Sequence, residues 1–315
     1  MPASKPLRSL ILSTDCGVEM DDQWALSHLA LSPELDIRGV VGAQAPVLVT
    51  IDEDGIMGPQ HPAPDAIAQA TAEVVRTTLA VLPISSPPPV YAGSNTPILD
   101  RDTPSPSVGS EFIIETSHGF STDNRLAILV IGPATDVASA LLIDPTLEDR
   151  IDVIAMAYNT WPEGTDLFNV KNDIASWQVL MASQTPITVG DWAVCKTHLT
   201  MTGERARSFF SKHGTPGMYL INLLVSWLDH QGDKATALVD DATAWSIWDQ
   251  VTVAHILGLT TTETHPRPIL RDDMSFEHPD SNEASGRTIN WITAVDEATL
   301  WADFARKLGE AMKTK

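Results

Sequence analysis

The strongest constraint on the fold is an alternation, along most of the chain, of short apolar runs with longer helix-like patterns. The runs at 9–14 and 125–132 are almost continuously apolar, which is typical of strands that are buried on both faces. The segment 21–32 instead repeats apolar residues at helical spacing. Strands of this kind, separated by helices, form a mainly parallel sheet covered by helices on both faces. The sequence therefore predicts an α/β fold of that type.

The same patterns locate the other strands and helices. Further strands are predicted at 36–43, 150–156 and 186–191, and further helices at 63–82, 135–143 and 173–183. Two stretches, 43–62 and 84–110, have no clean period, which is typical of lids, binding loops or disorder. Because the composition does not shift at either stretch, we expect a single domain, 1–315, with irregular loops near 43–62 and 84–110.

The charge balance limits the possible partners. Forty-one acidic side chains against 20 basic ones give a formal net charge of -21. Nucleic acids and anionic membrane surfaces are bound through Lys and Arg, so neither is expected as a partner. Cys16 and Cys195 have no zinc-type spacing, and no apolar stretch reaches the length of a membrane span. A cytoplasmic protein is predicted.

Acidic residues cluster directly after the first predicted strand, where parallel sheets bind their ligands. They are Asp15, Glu19, Asp21 and Asp22. The simplest interpretation of Asp21 and Asp22 is that they cap the following helix. Four crowded carboxylates, however, raise one another's pKa unless a cation or a proton lies among them. Oxygen ligands favour Ca²⁺ or Mg²⁺ over zinc, so a site for a hard divalent cation is the alternative interpretation.

Several common site types are excluded by missing motifs. The Asp-x-Asp of haloacid-dehalogenase-like phosphatases would need an Asp at Ser13. No Gly-x-Gly-x-x-Gly follows a strand, and the sequence has neither a GxxxxGK[ST] phosphate loop nor a GxSxG elbow.

Four segments, in their order along the chain, resemble the inosine-uridine nucleoside hydrolase superfamily. They are STDCG with the following Asp21 and Asp22, GPATDVASALLIDPTLEDRIDVIAMA, LFNVKND and SIWDQVTVAHIL. The chain thus resembles a divergent member of that family. The resemblance implies a nucleoside-hydrolase-like (Rossmann-like) α/β fold and a hydrolase that acts on N-glycosyl compounds.

The resemblance also implies roles for particular residues. The Ca²⁺ ligands would be Asp15, Asp22, the backbone carbonyl of Ile131 and Asp249. Asp21 would bind the ribose 2′-hydroxyl, and Asn169 would bind another sugar hydroxyl. A water on the Ca²⁺ would attack the anomeric carbon, with Asp15 as its general base.

The sequence departs from the family pattern in its first loop and in the part that faces the leaving group. Five residues separate Asp15 from Asp21, where nucleoside-cleaving members usually have three. Ser13 replaces the leading Asp, and Ala43 replaces the Asn that follows the second strand. Trp248 replaces the His that protonates the leaving base in purine-active members. An indole can stack on an aromatic leaving group but cannot act as a general acid.

The polar segment after the strand at 150–156 is interpreted as a wall of the sugar site. Leu167 replaces the Glu of the family's Glu-Phe-Asn motif, and Asp166 or Glu163 could substitute for it. The predicted hydroxyl partners are Asn159, Glu163, Asp166 and Asn169, of which Asn169 has the clear motif match. The competing interpretation is a solvated loop before a helix that Asp173 caps.

The predicted function is that of a calcium-dependent N-glycosidase, which hydrolyses a ribonucleoside or a related ribosyl compound by attack of a metal-bound water. The alternatives are a hydrolase of another vicinal-diol glycoside and a noncatalytic nucleoside- or sugar-binding homologue. The resemblance also implies a homodimer or a homotetramer.

Overall fold

The central element of the computed structural model is an eight-stranded sheet. The structure describes residues 8–45, 48–52, 55–279 and 286–313. The strands are β1 (Arg8–Thr14), β2 (Leu35–Gly42), β3 (Leu48–Asp52), β4 (Gly55–Gln60), β5 (Val90–Ala92), β6 (Leu126–Val130), β7 (Ile151–Met156), β8 (Ile187–Gly190), β9 (Thr200–Thr202), β10 (Ala244–Ser246), β11 (Thr260–Pro266), β12 (Ile269–Leu270), β13 (Phe276–Glu277) and β14 (Thr288–Val295).

Helices lie between most of these strands. The α-helices are α1 (Asp21–Ala30), α2 (Ile67–Val81), α3 (Val108–Ser117), α4 (Thr135–Ile143), α5 (Ile174–Ala182), α6 (Trp192–His198), α7 (Gly203–Phe210), α8 (Gly214–Val239), α9 (Gln250–Ile256) and α10 (Glu297–Ala311). Two short 3₁₀ helices span Pro145–Asp149 and Lys171–Asp173. No helix in the described ranges is long and apolar enough to cross a membrane.

The strand order in the large sheet is β11-β14-β8-β7-β6-β1-β2-β5. All neighbours in this order pair in parallel except β11, which runs antiparallel to β14 at one edge. At the centre of the sheet, β1 pairs with β2 on one side and with β6 on the other. The carboxyl ends of β1, β6 and β7 therefore meet at one edge of the sheet, as parallel pairing requires. This arrangement confirms the predicted fold class.

Each face of the sheet is covered by its own apolar cluster. In β1, Leu10 and Leu12 belong to one cluster and Ile11 to the other, because successive side chains of a strand point to opposite faces. The first cluster includes Trp24 of α1 and Trp301 of α10, with further residues from α2, α8 and α9. The second is formed with side chains of α3, α4 and α5. Burial on both faces explains why the central strands read as continuous apolar runs.

The two stretches expected to be irregular are more ordered than the sequence indicated. The stretch 43–62 contains β3 and β4, which form an antiparallel hairpin. The stretch 84–110 contains β5, a short edge strand paired with β2, and the start of α3. Gly and Pro in the β4 sequence obscure the strand pattern, and a three-residue strand is too short to show a period.

A buried polar network joins α1, α9 and α10. The His28 ring lies between Gln250, whose Nε2 is 2.6 Å from Nδ1, and Asp303, whose Oδ2 is 3.0 Å from Nε2. Lys307 extends the network, with its ammonium 2.6 Å from Asp303 and 2.5 Å from Glu34. Because His28 is fully buried, its pKa is lowered to about 4. The network thus ties α1 and α9, which both begin at the acidic cluster, to the C-terminal helix.

Burial of His28 makes the stability of the protein depend on pH. The folded pKa of about 4 lies below the ordinary value of 6.5, so the unfolded chain binds the extra proton first as the pH falls. Stability from neutral His28 is complete above pH 6.5 and is lost as the pH falls toward 4, by up to about 3 kcal/mol. Urea unfolding of the unmodified protein and of His28→Gln at pH 7 and pH 5 measures this. The variant should show the smaller loss, and the exposed His118→Gln is the matched control.

Candidate active site

A cavity of about 270 Å³ opens at the carboxyl ends of β1, β6 and β7. Its wall combines carboxylates, amides and aromatic rings. The acidic side chains that line it are Asp15, Glu19, Asp21, Asp22, Asp166 and Asp249. Four of them lie in the segment from the end of β1 to the first residues of α1, so the acidic segment found in the sequence does face a ligand-sized cavity.

The backbone after β1 fixes the directions of these acids. Gly17 has φ +107°, a left-handed conformation that suits glycine, and the turn is closed by a hydrogen bond from Val18 N to Asp15 O of 3.2 Å. Thr14 Oγ1 donates a hydrogen bond to Asp22 and accepts one of 3.1 Å from Cys16 N. A single hydroxyl therefore holds both the loop and the Asp22 carboxylate.

Three carboxylates converge at the N-termini of two helices. Asp21 and Asp22 are the first residues of α1, and Asp249 directly precedes α9. Each offers one oxygen, and these oxygens lie within 4.8 Å of one another. All three side chains are buried. Among the described residues, these three form the group of acidic, His or Cys side chains whose ligand atoms lie close enough together to share one cation.

The acids of this cluster strongly disfavour ionisation. Burial, together with neighbouring carboxylates, Asp21 foremost, raises the pKa of Asp15 to about 8, although a backbone hydrogen bond acts in the opposite direction. Burial and the facing carboxylates likewise raise the pKa values of Asp21, Asp22 and Asp249 well above their ordinary range. A divalent cation among them would relieve this repulsion, and the all-oxygen donor set fits Ca²⁺ or another hard cation.

The structure brings the whole predicted ligand set to one cavity. Asp15, Asp22, Ile131 and Asp249 all line it, and Ile131 is held beside β1 by a hydrogen bond from its N–H to Ser13 O of 2.9 Å. Within the three-carboxylate cluster, however, Asp21 takes the place that the prediction gave to Asp15. Asp15 and Asp21 both belong to the short segment between the end of β1 and the start of α1, so the two ligand sets differ by one carboxylate of that segment.

The segment after β7 lines the cavity with most of its predicted hydroxyl partners. Asn159, Asp166 and Asn169 belong to the wall. Asn169 Nδ2 donates to Met156 O at 3.0 Å, and Asn159 Nδ2 donates to Thr165 Oγ1 at 2.9 Å. The Asp166 carboxylate accepts backbone hydrogen bonds from Tyr158 N at 2.9 Å and Phe168 N at 2.6 Å. Asp166 therefore also holds this loop in shape.

Glu163 is the predicted site residue that the structure does not bring to the cavity. It is exposed and absent from the wall. A tight turn, closed by a hydrogen bond from Gly164 N to Thr160 O of 3.0 Å, leaves the Glu163 side chain at the surface. Its backbone carbonyl accepts from Phe276 N at 3.1 Å. Sequence proximity to Asn169 suggested a shared role, but the turn separates the two side chains.

The remaining wall is aromatic and contains one basic group. Trp248 and Trp192 both line the cavity, with ring centroids 6.3 Å apart and planes 19° apart. Lys234 of α8 lines it as well, paired with Glu19. Trp192 was not predicted because the strand end that it follows carries no recognisable motif, and Lys234 was not predicted because it lies within α8, away from any strand end. No histidine is among the wall residues in the part of the chain that the structure describes.

A sequence model of the family described as inosine-uridine preferring nucleoside hydrolase matches residues 65–302, which is most of the chain. The chain belongs to this family. Its members are metal-dependent hydrolases of N-glycosyl compounds that act on small-molecule nucleosides, so the resemblance seen in the sequence and the predicted enzyme class are confirmed. The match begins after the first acidic segment, which contains the lengthened loop between Asp15 and Asp21.

Solved structures show the same fold over nearly the whole chain. A purine-preferring ribonucleoside hydrolase from Gardnerella vaginalis has a TM-score of 0.74 at 17% identity, covering 98% of this chain and 100% of its own. A plant nucleoside hydrolase has a TM-score of 0.70 at 16% identity, and the match covers 96% of this chain and 99% of the plant enzyme. An inosine-uridine preferring nucleoside hydrolase from Bacillus anthracis has a TM-score of 0.66 at 15% identity, and the match covers 96% of this chain and 100% of that enzyme. A search of curated proteins finds no significant match.

Cation binding should stabilise the protein through the acidic cluster. With free Ca²⁺ at one hundred times its dissociation constant, the free energy of unfolding should rise by about 2.7 kcal/mol. Asp22→Asn should lose most of this gain yet be no less stable than the unmodified protein after chelation, because one repelling charge is gone. Thermal unfolding with and without Ca²⁺ measures both effects. An equal gain in Asp22→Asn and in the exposed control Asp229→Asn would contradict the assignment.

Gly132 leaves the space that Asp15 occupies. A Cβ at this position would lie 2.8 Å from Asp15 Oδ1 and 2.9 Å from its backbone N. Gly132→Ala should therefore displace Asp15 and weaken Ca²⁺ binding by about 10-fold or more. Calorimetric titration measures this. The control is Gly119→Ala, where the nearest atom to the added Cβ is 3.9 Å away, and a loss of similar size there would refute the steric explanation.

Proposed function

We propose that this protein is a calcium-dependent N-glycosidase that hydrolyses the N-glycosidic bond of a ribonucleoside or a related ribosyl compound. The observation that supports it best is the convergence of buried carboxylates from α1 and α9 in a cavity whose other side is aromatic. Sugar hydroxyls and a cation suit the first part of the cavity, and a flat leaving group suits the second. Family membership supplies the reaction class.

The carboxylates and the sugar would be arranged around the cation. The proposed ligands are Asp15, Asp22, the carbonyl of Ile131 and Asp249, with Asp21 directed at the ribose 2′-hydroxyl. When bound, Ca²⁺ would supply a Lewis acid that gathers vicinal hydroxyls and lowers the pKa of water. Asn169 and Asn159 are positioned by their hydrogen bonds to the backbone of β7 and to Thr165, so each can present an amide to a sugar hydroxyl.

Asp15 is the proposed general base. Its carboxylate lines the cavity with the other proposed ligands, and a cation bound there would favour the ionised form, which accepts a proton. Attack of water on a sugar with oxocarbenium character would transfer one water proton to Asp15 and release the leaving group in a single displacement. Gly132 leaves the room that the carboxylate needs, since an added Cβ would lie 2.8 Å from Asp15 Oδ1.

The aromatic wall fits a planar leaving group. Trp248 is almost fully buried, and its ring is nearly parallel to that of Trp192. Similar structures include hydrolases named as purine-preferring and as inosine-uridine preferring, and the base of such a nucleoside is planar. An indole donates a hydrogen bond but has no acidic proton at neutral pH, so Trp248 would contribute packing rather than protonation.

Release of free sugar tests the proposal directly. The substrates are a panel of purine, pyrimidine and modified ribonucleosides, assayed with Ca²⁺ and after chelation. We expect release from at least one of them, loss of release on chelation, and a decrease of 10²- to 10⁴-fold, roughly, in Asp15→Asn. Asp229→Asn, an exposed acid on α8, is the matched control.

The other outcomes identify the alternatives. Release only from non-nucleoside vicinal-diol glycosides would indicate a different leaving group. Ca²⁺-dependent binding of nucleosides without turnover would indicate a noncatalytic homologue. From the family resemblance alone we further propose a homodimer or a homotetramer, and from the sequence alone a cytoplasmic location. Light scattering of the purified protein measures the assembly state.

A further inference from the structure

Lys234 occupies an unusual position for a basic side chain. It lies near the end of α8, three residues after Gln231, where the helix bends through a non-helical φ of -123° and ψ of 23°. It is the one basic residue in a wall that carries six carboxylates, as far as the described ranges show. The protein as a whole has twice as many acids as bases, so a cation in this cavity calls for an explanation.

The ammonium of Lys234 is held by one carboxylate and a ring of aromatic side chains. It forms an ion pair with Glu19, whose side chain is only 12% exposed. It also lies over the rings of Phe168 and Trp227, both 5.2 Å away, and of Trp245, 5.5 Å away. Cation–π contacts of this kind fix the charge without using its N–H groups. An ammonium has three donors, so Glu19 leaves donors for a ligand.

This ammonium belongs to the aromatic side of the cavity. Trp245 meets the Trp248 ring edge-on, with centroids 5.8 Å apart and planes 85° apart. Lys234 is therefore one ring removed from Trp248, the residue that stands where relatives carry a leaving-group histidine. Glu19 comes from the lengthened loop between Asp15 and Asp21, so the loop insertion provides the partner of Lys234. The two departures from the family pattern meet at this point.

Cleavage of an N-glycosidic bond creates a need for positive charge on this side. The C–N bond breaks with both electrons passing to the leaving nitrogen, and the attacking water forms the new C–O bond while its proton passes to Asp15. The carboxylates of the cavity repel the negative charge that develops on the leaving group. A fixed cation near that group offsets the repulsion.

We propose that Lys234 donates a hydrogen bond to the leaving group and stabilises the negative charge that develops on it, with Glu19 orienting the ammonium. This inference rests on the proposed function and extends it to the leaving group. The proposal implies substrates whose leaving group has a hydrogen-bond acceptor at a distance from the glycosidic nitrogen. Nucleobases meet this requirement through their carbonyl oxygens and ring nitrogens. The released anion takes its proton from solvent.

Two substrates with different leaving groups test the role of Lys234. One is the ribonucleoside that the unmodified enzyme cleaves fastest, and the other is 4-nitrophenyl β-ribofuranoside, whose phenolate leaves as a stable anion. Lys234→Met should reduce kcat/KM for the nucleoside by about 100-fold or more and for the nitrophenyl riboside by less than about 10-fold. Glu19→Gln should give a smaller loss with the same substrate preference.

Lys196 provides a matched control within the same protein. Its ammonium is paired with Asp240 at 2.7 Å and lies 4.8 Å from the Trp192 ring centroid, yet it is not part of the cavity wall. Lys196→Met should leave both substrates unaffected. If Lys234→Met does not fold, as judged by circular dichroism, Lys234→Gln replaces it, and Lys234→Arg should restore part of the nucleoside activity.

The results separate this inference from the proposed function. Equal losses on both substrates, or no loss on the nucleoside, would overturn the role of Lys234 while leaving the hydrolase assignment intact. An unmodified enzyme that cleaves neither substrate would overturn both. A nucleoside-selective loss that Lys196→Met does not share supports both.

Discussion

Mutual repulsion among buried carboxylates is the constraint on which this structure depends. Asp15, Asp21, Asp22 and Asp249 are withdrawn from water at one end of the sheet, and their raised pKa values express what that burial costs. A folded chain retains such a cluster only where the surrounding packing determines the positions of its members. Here the two helix N-termini supply partial positive charge, and a bound cation would supply the rest.

The scaffold around the cluster is correspondingly rigid. β1 lies between β2 and β6 with apolar clusters on both faces, so the residue that follows it, Asp15, begins from a fixed point. The helices that carry the other acids are joined behind the site by His28 and Gln250. The Thr14 hydroxyl connects the strand to Asp22. The hydrogen bonds of Thr14, His28 and Gln250 thus help to hold the mutually repelling carboxylates in position.

The two halves of the cavity differ in their chemistry. One half is lined by buried carboxylates, whereas the other is lined by Trp192 and Trp248 and by Lys234 of α8, which pairs with Glu19 of the segment after β1. Similar folds at 15–17% identity show how much sequence can change while the sheet persists.

The sequence by itself determined the sheet and the chemistry of the acidic half. Apolar periodicity located the central strands because they are buried on both faces, and the carboxylates could be found because they follow a strand within one short loop. The hairpin of β3 and β4 and the exposed position of Glu163 could not be read this way, since both depend on turn geometry. Only the tertiary structure placed Lys234 beside Glu19, 215 positions earlier in the chain. Local patterns show which face of an element is buried, but a contact between a helix and a loop far apart in the sequence depends on how the elements pack together.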